Sequence, residues 1–168
     1  MTMSIIRAKA ELFQSKTGSL TLLRLPKSAS AKLPSRGLVM VEGTINGARF
    51  QAPLEPDGEG SHVLVVDKTL RTLTGGSATV ALAIEPSEHW PEPKVPADLK
   101  TALAADPRAL ATWKDITVMA RWDWIRWLNE AKQPETRKRR LESIYSRFKA
   151  GKRRPCCFDR SQCTLNDV

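Results

Sequence analysis

Residues 86–96 read PSEHWPEPKVP, four prolines in eleven positions. Proline fixes φ and removes a backbone donor, so neither a helix interior nor a central strand can run through such a stretch. The two sides of it differ in hydrophobic period. Before it, short apolar runs alternate and are broken by glycine-rich turns; after it, apolar residues recur every three or four positions. A β half followed by an α half predicts an α+β protein. We expect a β domain over 4–86, a proline-rich linker over 87–95, a helical domain over 96–154, and a cysteine-containing, mobile tail over 155–168.

Six strand candidates occupy 5–13, 19–26, 38–45, 48–54, 62–67 and 78–85. Asn46-Gly47 is a two-residue hairpin signal, PDGEGS (56–61) and GGS (75–77) are turns, and a one- or two-turn helix starting at Ser28 fits 28–33. So many short strands with closely spaced turns predict a small closed barrel. In the second half, two short helices fit 96–113, with Asp106-Pro107 restarting the second. A longer helix is expected from Val118 to about Lys132, and a last one from Pro134 to a stop at Gly151. The helical unit therefore holds about four helices.

The 168 residues carry a net charge of +9, unevenly spread. Residues 1–94 contribute +2 and residues 95–168 contribute +7, with 12 basic against 4 acidic groups in 121–154. This asymmetry points to an anionic partner: nucleic acid or another polyanion, or an acidic protein. No apolar run approaches the roughly 20 residues of a membrane helix, and MTMSIIRAKAELF lacks a signal-peptide core. No membrane insertion and a cytoplasmic location are the expectation. Cys156, Cys157 and Cys163 form an odd, terminal set with neither a disulfide framework nor a fourth zinc ligand nearby, so no metal or cofactor is expected. PDGEGSH (56–62) lacks a P-loop ending. His62 and His89 read as isolated, and no catalytic residue is assigned.

The stretch WDWIRWLNEAKQPETRKRR (122–140) sets three tryptophans beside a basic run. At 100° per residue the apolar positions of the tryptophan helix wrap over more than half its surface, leaving a narrow polar stripe of Asp123, Arg126 and Glu130. The tryptophans are thus expected to be mainly core, with Trp127 at the edge of the arc the best placed to stack on a ligand. In the last helix, Leu141, Ile144, Tyr145 and Phe148 form the core stripe, and Arg137 lies on it one turn earlier, where it should pair with a carboxylate. Lys138 and Arg139 lie at neutralising spacings from Glu142 and Glu135. Arg140 and Arg147 have no acidic neighbour at such spacing, so Arg140, Arg147, Lys149, Lys152, Arg153 and Arg154 form the expected anion-facing set.

Residues 95–117 and 121–152 resemble the YdeI/OmpD-associated, or bacteriocin-protection, family. The resemblance rests on Pro96, Asp98 and Leu99, the Ala131-Lys132 pair, Glu135-Thr136-Arg137 with Arg140, and Gly151-Lys152. VEGTINGARFQAPLEPDGEGSHVLVVDKTLR (41–71) is similar to a small β-barrel domain of unknown function that often precedes that family. The resemblance implies a double-split barrel related in shape to AbrB-like barrels, then a helical unit, with a link to bacteriocin tolerance or envelope stress and no catalytic residues. TGGSATV (74–80) departs from it by lacking a Gly-Asp pair before the last strand, and the tail from 155 lies outside the pattern.

Together these features favour a non-enzymatic binding module with a basic helical face, nucleic acid leading as partner. One alternative is a small-molecule or enzymatic role in a pocket between barrel and helices, lined by Trp90, Trp122 and Arg137. Another is a homodimeric scaffold that uses the apolar arc of the tryptophan helix.

Overall fold

The computed structural model describes residues 4–153, which fall into two compact units meeting in sequence between His89 and Trp90. In the first unit, β1 (Ile6–Gln14), β2 (Thr21–Arg24), β3 (Val39–Ile45), β4 (Ala48–Pro56), β5 (His62–Val65) and β6 (Thr79–Pro86) close into a barrel in the order β1-β2-β5-β4-β3-β6. Every neighbouring pair is antiparallel. The expected closed barrel is therefore present. The two-residue alternation works as predicted: Val80, Leu82 and Ile84 of β6 are buried, as are Ile6 and Ala10 of β1. They pack with Leu23, Val41, Ile45 and Leu64 into one core.

Two turn positions explain how the barrel closes. Asn46 and Gly47 both take positive φ, 48° and 84°, the requirement of the tight hairpin turn that joins β3 to β4. The Asn46 side chain also accepts from Ala81 N–H at 3.0 Å and donates to the carbonyls of Leu73 and Thr74 at 3.3 and 3.4 Å. Gly43 lies where β3 presses on β6: a Cβ there would stand 1.9 Å from the Ala83 carbonyl oxygen. Only glycine permits that approach.

Two helices ornament the barrel. α1 (Lys27–Ser30) begins one residue before the expected Ser28, behind Pro26. α2 (Lys68–Thr74) was not foreseen. It shortens β5 to Val65 because Asp67 accepts from Leu70 N–H and caps the helix, while Gly75 in the left-handed region ends it.

The second unit holds α3 (Ala97–Ala104), α4 (Pro107–Asp115), α5 (Val118–Asn129) and α6 (Pro134–Lys149). The starts of α4, α5 and α6 have local causes. Asp106 accepts from Arg108 N–H with Pro107 following, Thr117 accepts from Ala120 N–H, and Pro134 opens α6. α6 ends in a paired cap, with Gly151 N–H on the Phe148 carbonyl and Lys152 N–H on that of Arg147. Leu99, Leu103, Trp113, Trp124, Leu128, Ile144 and Phe148 pack into this unit's own core. No helix among the described residues is long and apolar enough to cross a membrane.

Candidate functional site

Arg137 leaves the core stripe of α6 and meets Asp98 in the first turn of α3. Its Nε donates to Asp98 Oδ2 at 2.7 Å and one terminal nitrogen to Oδ1 at 3.0 Å, a two-pronged match of guanidinium to carboxylate. The other terminal nitrogen donates to Asn129 Oδ1 at 3.0 Å. One arginine thus ties α3, α5 and α6 together. Its hydrogen bonds hold the Asp98 carboxyl below its ordinary 3.8, against partial desolvation and with help from Leu99 N–H. The expected carboxylate partner of Arg137 is found, and it is a residue of the Pro96-x-Asp98-Leu99 stretch.

The tryptophans divide as the width of the apolar arc implies. Trp124 is fully buried, edge-on to Phe148 with ring centroids 4.7 Å apart, and its Nε1 donates to the Arg153 carbonyl. Trp122 is half-buried, donates to the Pro91 carbonyl at 2.8 Å and meets Trp90 edge-on at 6.2 Å. Trp127 meets Trp124 edge-on at 5.9 Å and carries the Arg140 guanidinium 5.0 Å from its ring centre. The polar stripe reads differently from its sequence: Asp123 and Arg126 are 5% and 7% exposed, so this part of α5 is buried on its charged side too.

The basic set is rearranged. Arg140, expected to lack an acidic neighbour, donates to the Trp127 carbonyl at 2.5 Å and reaches Glu130 at 3.4 Å. That carboxylate caps the end of the preceding helix, where α6 periodicity cannot see it. Arg153 pairs with the Asp115 carboxylate and carbonyl. Arg147 donates to Ser143, and Lys149 lies over the Tyr145 ring at 5.8 Å. Lys152 is exposed, and Arg154 lies outside the described residues with the three cysteines. Conversely, Lys138 and Arg139 are exposed and form no ion pair with Glu142 or Glu135. The cations freed and the cations engaged are thus partly the reverse of those expected from spacing within α6.

Arg121, outside the expected set, is a hub of this unit. It clasps both oxygens of Glu92, at 3.2 and 2.6 Å, and donates to the Trp113 and Ile116 carbonyls at 3.1 and 2.8 Å. Those carbonyls are the unsatisfied end of α4, so the guanidinium both fills them and opposes the negative end of the helix dipole. It also fixes the chain leading into α3. The one signal available beforehand was an arginine one turn into a helix otherwise rich in apolar residues. Tyr145 adds a second tie by donating to Asp106 Oδ2 at 2.9 Å. Arg108 N–H and then Tyr145 lower the Asp106 carboxyl, and Asp106 raises the Tyr145 phenol in return.

Residues 92–151, which contain the ties made by Arg121, Arg137, Arg140 and Tyr145, match the family model described as Bacteriocin-protection, YdeI or OmpD-Associated, and residues 9–84 match that of a Domain of unknown function, DUF1905. The chain joins a DUF1905 domain to a YdeI/OmpD-associated domain. Neither a curated protein nor a solved structure matches it.

In the DUF1905 domain, His62 is not isolated. Its Nε2 faces the Gly37 carbonyl at 2.8 Å, which only accepts, so Nε2 carries the proton. Nδ1 therefore accepts from Ser30 Oγ at 2.7 Å, and Arg36 donates in turn to Ser30 Oγ at 3.2 Å and to the Ser30 carbonyl. A serine and a histidine in this arrangement resemble a nucleophile and its base, but both are 0% exposed and no substrate reaches the hydroxyl in this conformation. The contact instead pins α1 and the segment before β3 to β5. Burial first, then the Arg36 charge, lowers the His62 pKa from 6.5, against the opposing effects of the Gly37 carbonyl and Asp57. Among the described residues no three His, Cys, Asp or Glu side chains converge on a possible metal position.

Proposed function

We propose that the chain is a binding module for anionic partners, with nucleic acid engaged by the solvent face of α6 and the turn after it. One observation carries this reading. Lys138, Arg139, Lys149 and Lys152 are exposed and none forms an ion pair among the described residues, in a half of the chain with a net charge of +7. The family description adds support for a role connected with bacteriocin protection. Glu135 and Glu142 share the face, so the attraction comes from a modest excess of positive charge. Binding should accordingly be weak, sequence-tolerant and sensitive to salt.

Fluorescence anisotropy with short DNA and RNA oligonucleotides tests this directly. Three or four phosphate contacts predict an affinity loss on the order of 10²-fold between about 50 and 200 mM salt. The triple variant Lys138→Glu, Arg139→Glu, Lys149→Glu should abolish association while leaving the fold intact, because all three side chains are exposed. No association at the lower salt, or equal binding by the triple variant, overturns the proposal.

A further inference from the structure

A second positively charged feature of the helical unit has a different character. The segment before α3, the facing sides of α3 and α4, and Arg121 enclose an open groove of about 900 Å³. That volume is in the range of small-molecule sites, about 300–1,000 Å³. Helical spacing builds it: Lys100, Leu103 and Ala104 share one face of α3, and Leu110, Trp113 and Lys114 share one face of α4. Its floor is Val95, Leu103 and Leu110, with Trp113 beneath, 7% exposed. Around that floor stand Lys94, Lys100 and Lys114, all exposed and none in an ion pair among the described residues. The one carboxylate of the lining, Glu92, is already clasped by Arg121.

We infer that this groove binds a small amphipathic carboxylate, an aliphatic chain lying on the floor with its carboxylate among the three lysines. The floor decides the body of the ligand. It is aliphatic, and the single ring beneath it is covered, so there is no flat platform on which a base would stack. The rim decides the head. Three ammonium groups gathered around an apolar depression repel one another, and an anion among them relieves that repulsion. Arg121 is a positioning residue here, because it neutralises the carbonyl end of α4 that would otherwise face the anion and holds Glu92, two residues from Lys94. This site is independent of the α6 face.

Isothermal titration of the full chain with octanoate, octanol and acetate at low salt is the test. Octanoate should bind saturably at one site, with octanol and acetate each weaker by about tenfold or more. Lys94→Gln, Lys100→Gln and Lys114→Gln should each weaken octanoate by about three- to fivefold, the range of partly exposed ion pairs. Ala104→Trp, at an exposed position on the wall, should block the groove without lowering the melting temperature. Lys138→Glu, Arg139→Glu and Lys149→Glu together should leave octanoate binding unchanged, separating this site from the α6 face. Absence of saturable octanoate binding, or binding indifferent to all three lysine variants, overturns the inference. So does binding only to phosphatidylglycerol vesicles, which would make the groove part of a lipid-surface contact.

Discussion

In the barrel one polar contact between elements has a neutral, buried centre: His62, Ser30 and the Gly37 carbonyl form a chain in which the serine and histidine are fully buried, with Arg36 reaching it only from the exposed edge. In the helical unit the corresponding contacts are charged and partly open, since Arg137 and Asp98 keep 30% and 39% of their side chains exposed and Arg140 and Glu130 keep 25% and 38%. A sealed neutral network leaves a costly orphan when one member is removed, and the cost does not depend on salt. A half-open ion pair is cushioned by water, so it specifies geometry more than it adds stability. The two units should therefore respond to different insults, and the sequence supplies a way to watch them separately. All five tryptophans lie at or beyond Trp90, so tryptophan emission reports on the helical unit.

The largest expected effect asks whether packing or ionic ties hold the helical unit. Trp124→Ala removes a ring with no exposure that touches Phe148 and Trp127, and it deletes a donor to the Arg153 carbonyl. A loss of about 3–5 kcal/mol is expected, the range for truncating a buried aromatic. Urea unfolding followed through the remaining tryptophans measures it. A loss below about 1 kcal/mol would mean that the arginine ties, rather than this core, carry the unit.

Ser30→Ala probes the sealed network and should cost about 1–3 kcal/mol, because His62 Nδ1 loses its donor where no water replaces it. The pH response follows from the lowered His62 pKa. The unfolded chain binds a proton near 6.5 and the folded barrel binds it only at lower pH. Barrel stability is therefore full above 6.5 and falls as pH drops toward the folded pKa, by up to about 1.4 kcal/mol per pH unit. Burial sets the sign: it outweighs the Gly37 carbonyl, which favours the imidazolium, while the Arg36 charge disfavours it and Asp57 favours it. Hydrogen exchange of barrel amides between pH 7 and 5 should show this loss while tryptophan emission stays constant. A barrel indifferent to pH over that interval would remove the neutral histidine from the comparison, and a matching change in emission would mean that the two units fail as one.

What could be read beforehand follows the range of the physics. Strand alternation, Asn46-Gly47, Asp106-Pro107 and Gly151 act over a few residues, so the barrel strands and the helical order were legible. α2 was not, although Asp67 three residues before Leu70 and Gly75 after Thr74 are ordinary start and stop signals; its seven residues follow directly on an apolar strand run and are too few to show a helical period of their own. Contacts between elements were legible only where a residue was out of place on its own helix. Arg137 on a core stripe demanded a carboxylate, and Asp98 is 39 positions away. Arg140 gave no such warning, because its partners Trp127 and Glu130 lie in and just after α5. The groove lysines gave none either, since their convergence depends on how α3 meets α4.

Arg137→Lys is the smallest and the most selective perturbation. Lysine keeps the charge and much of the stem, but a single ammonium cannot give Asp98 two parallel bonds and Asn129 a third. With both partners about a third exposed, the cost is discounted for solvent to about 1 kcal/mol. The decisive reading is at low pH. Because Asp98 sits below its ordinary 3.8 when folded, the tie is present above that value and is lost as pH falls through the folded pKa. The variant should therefore be less stable than the parent at neutral pH and converge with it as Asp98 protonates, as measured by tryptophan emission in urea. A gap that persists unchanged at low pH would show that Arg137 acts through the packing of its stem rather than its charge, and that packing rather than this ion pair joins α3 to α6.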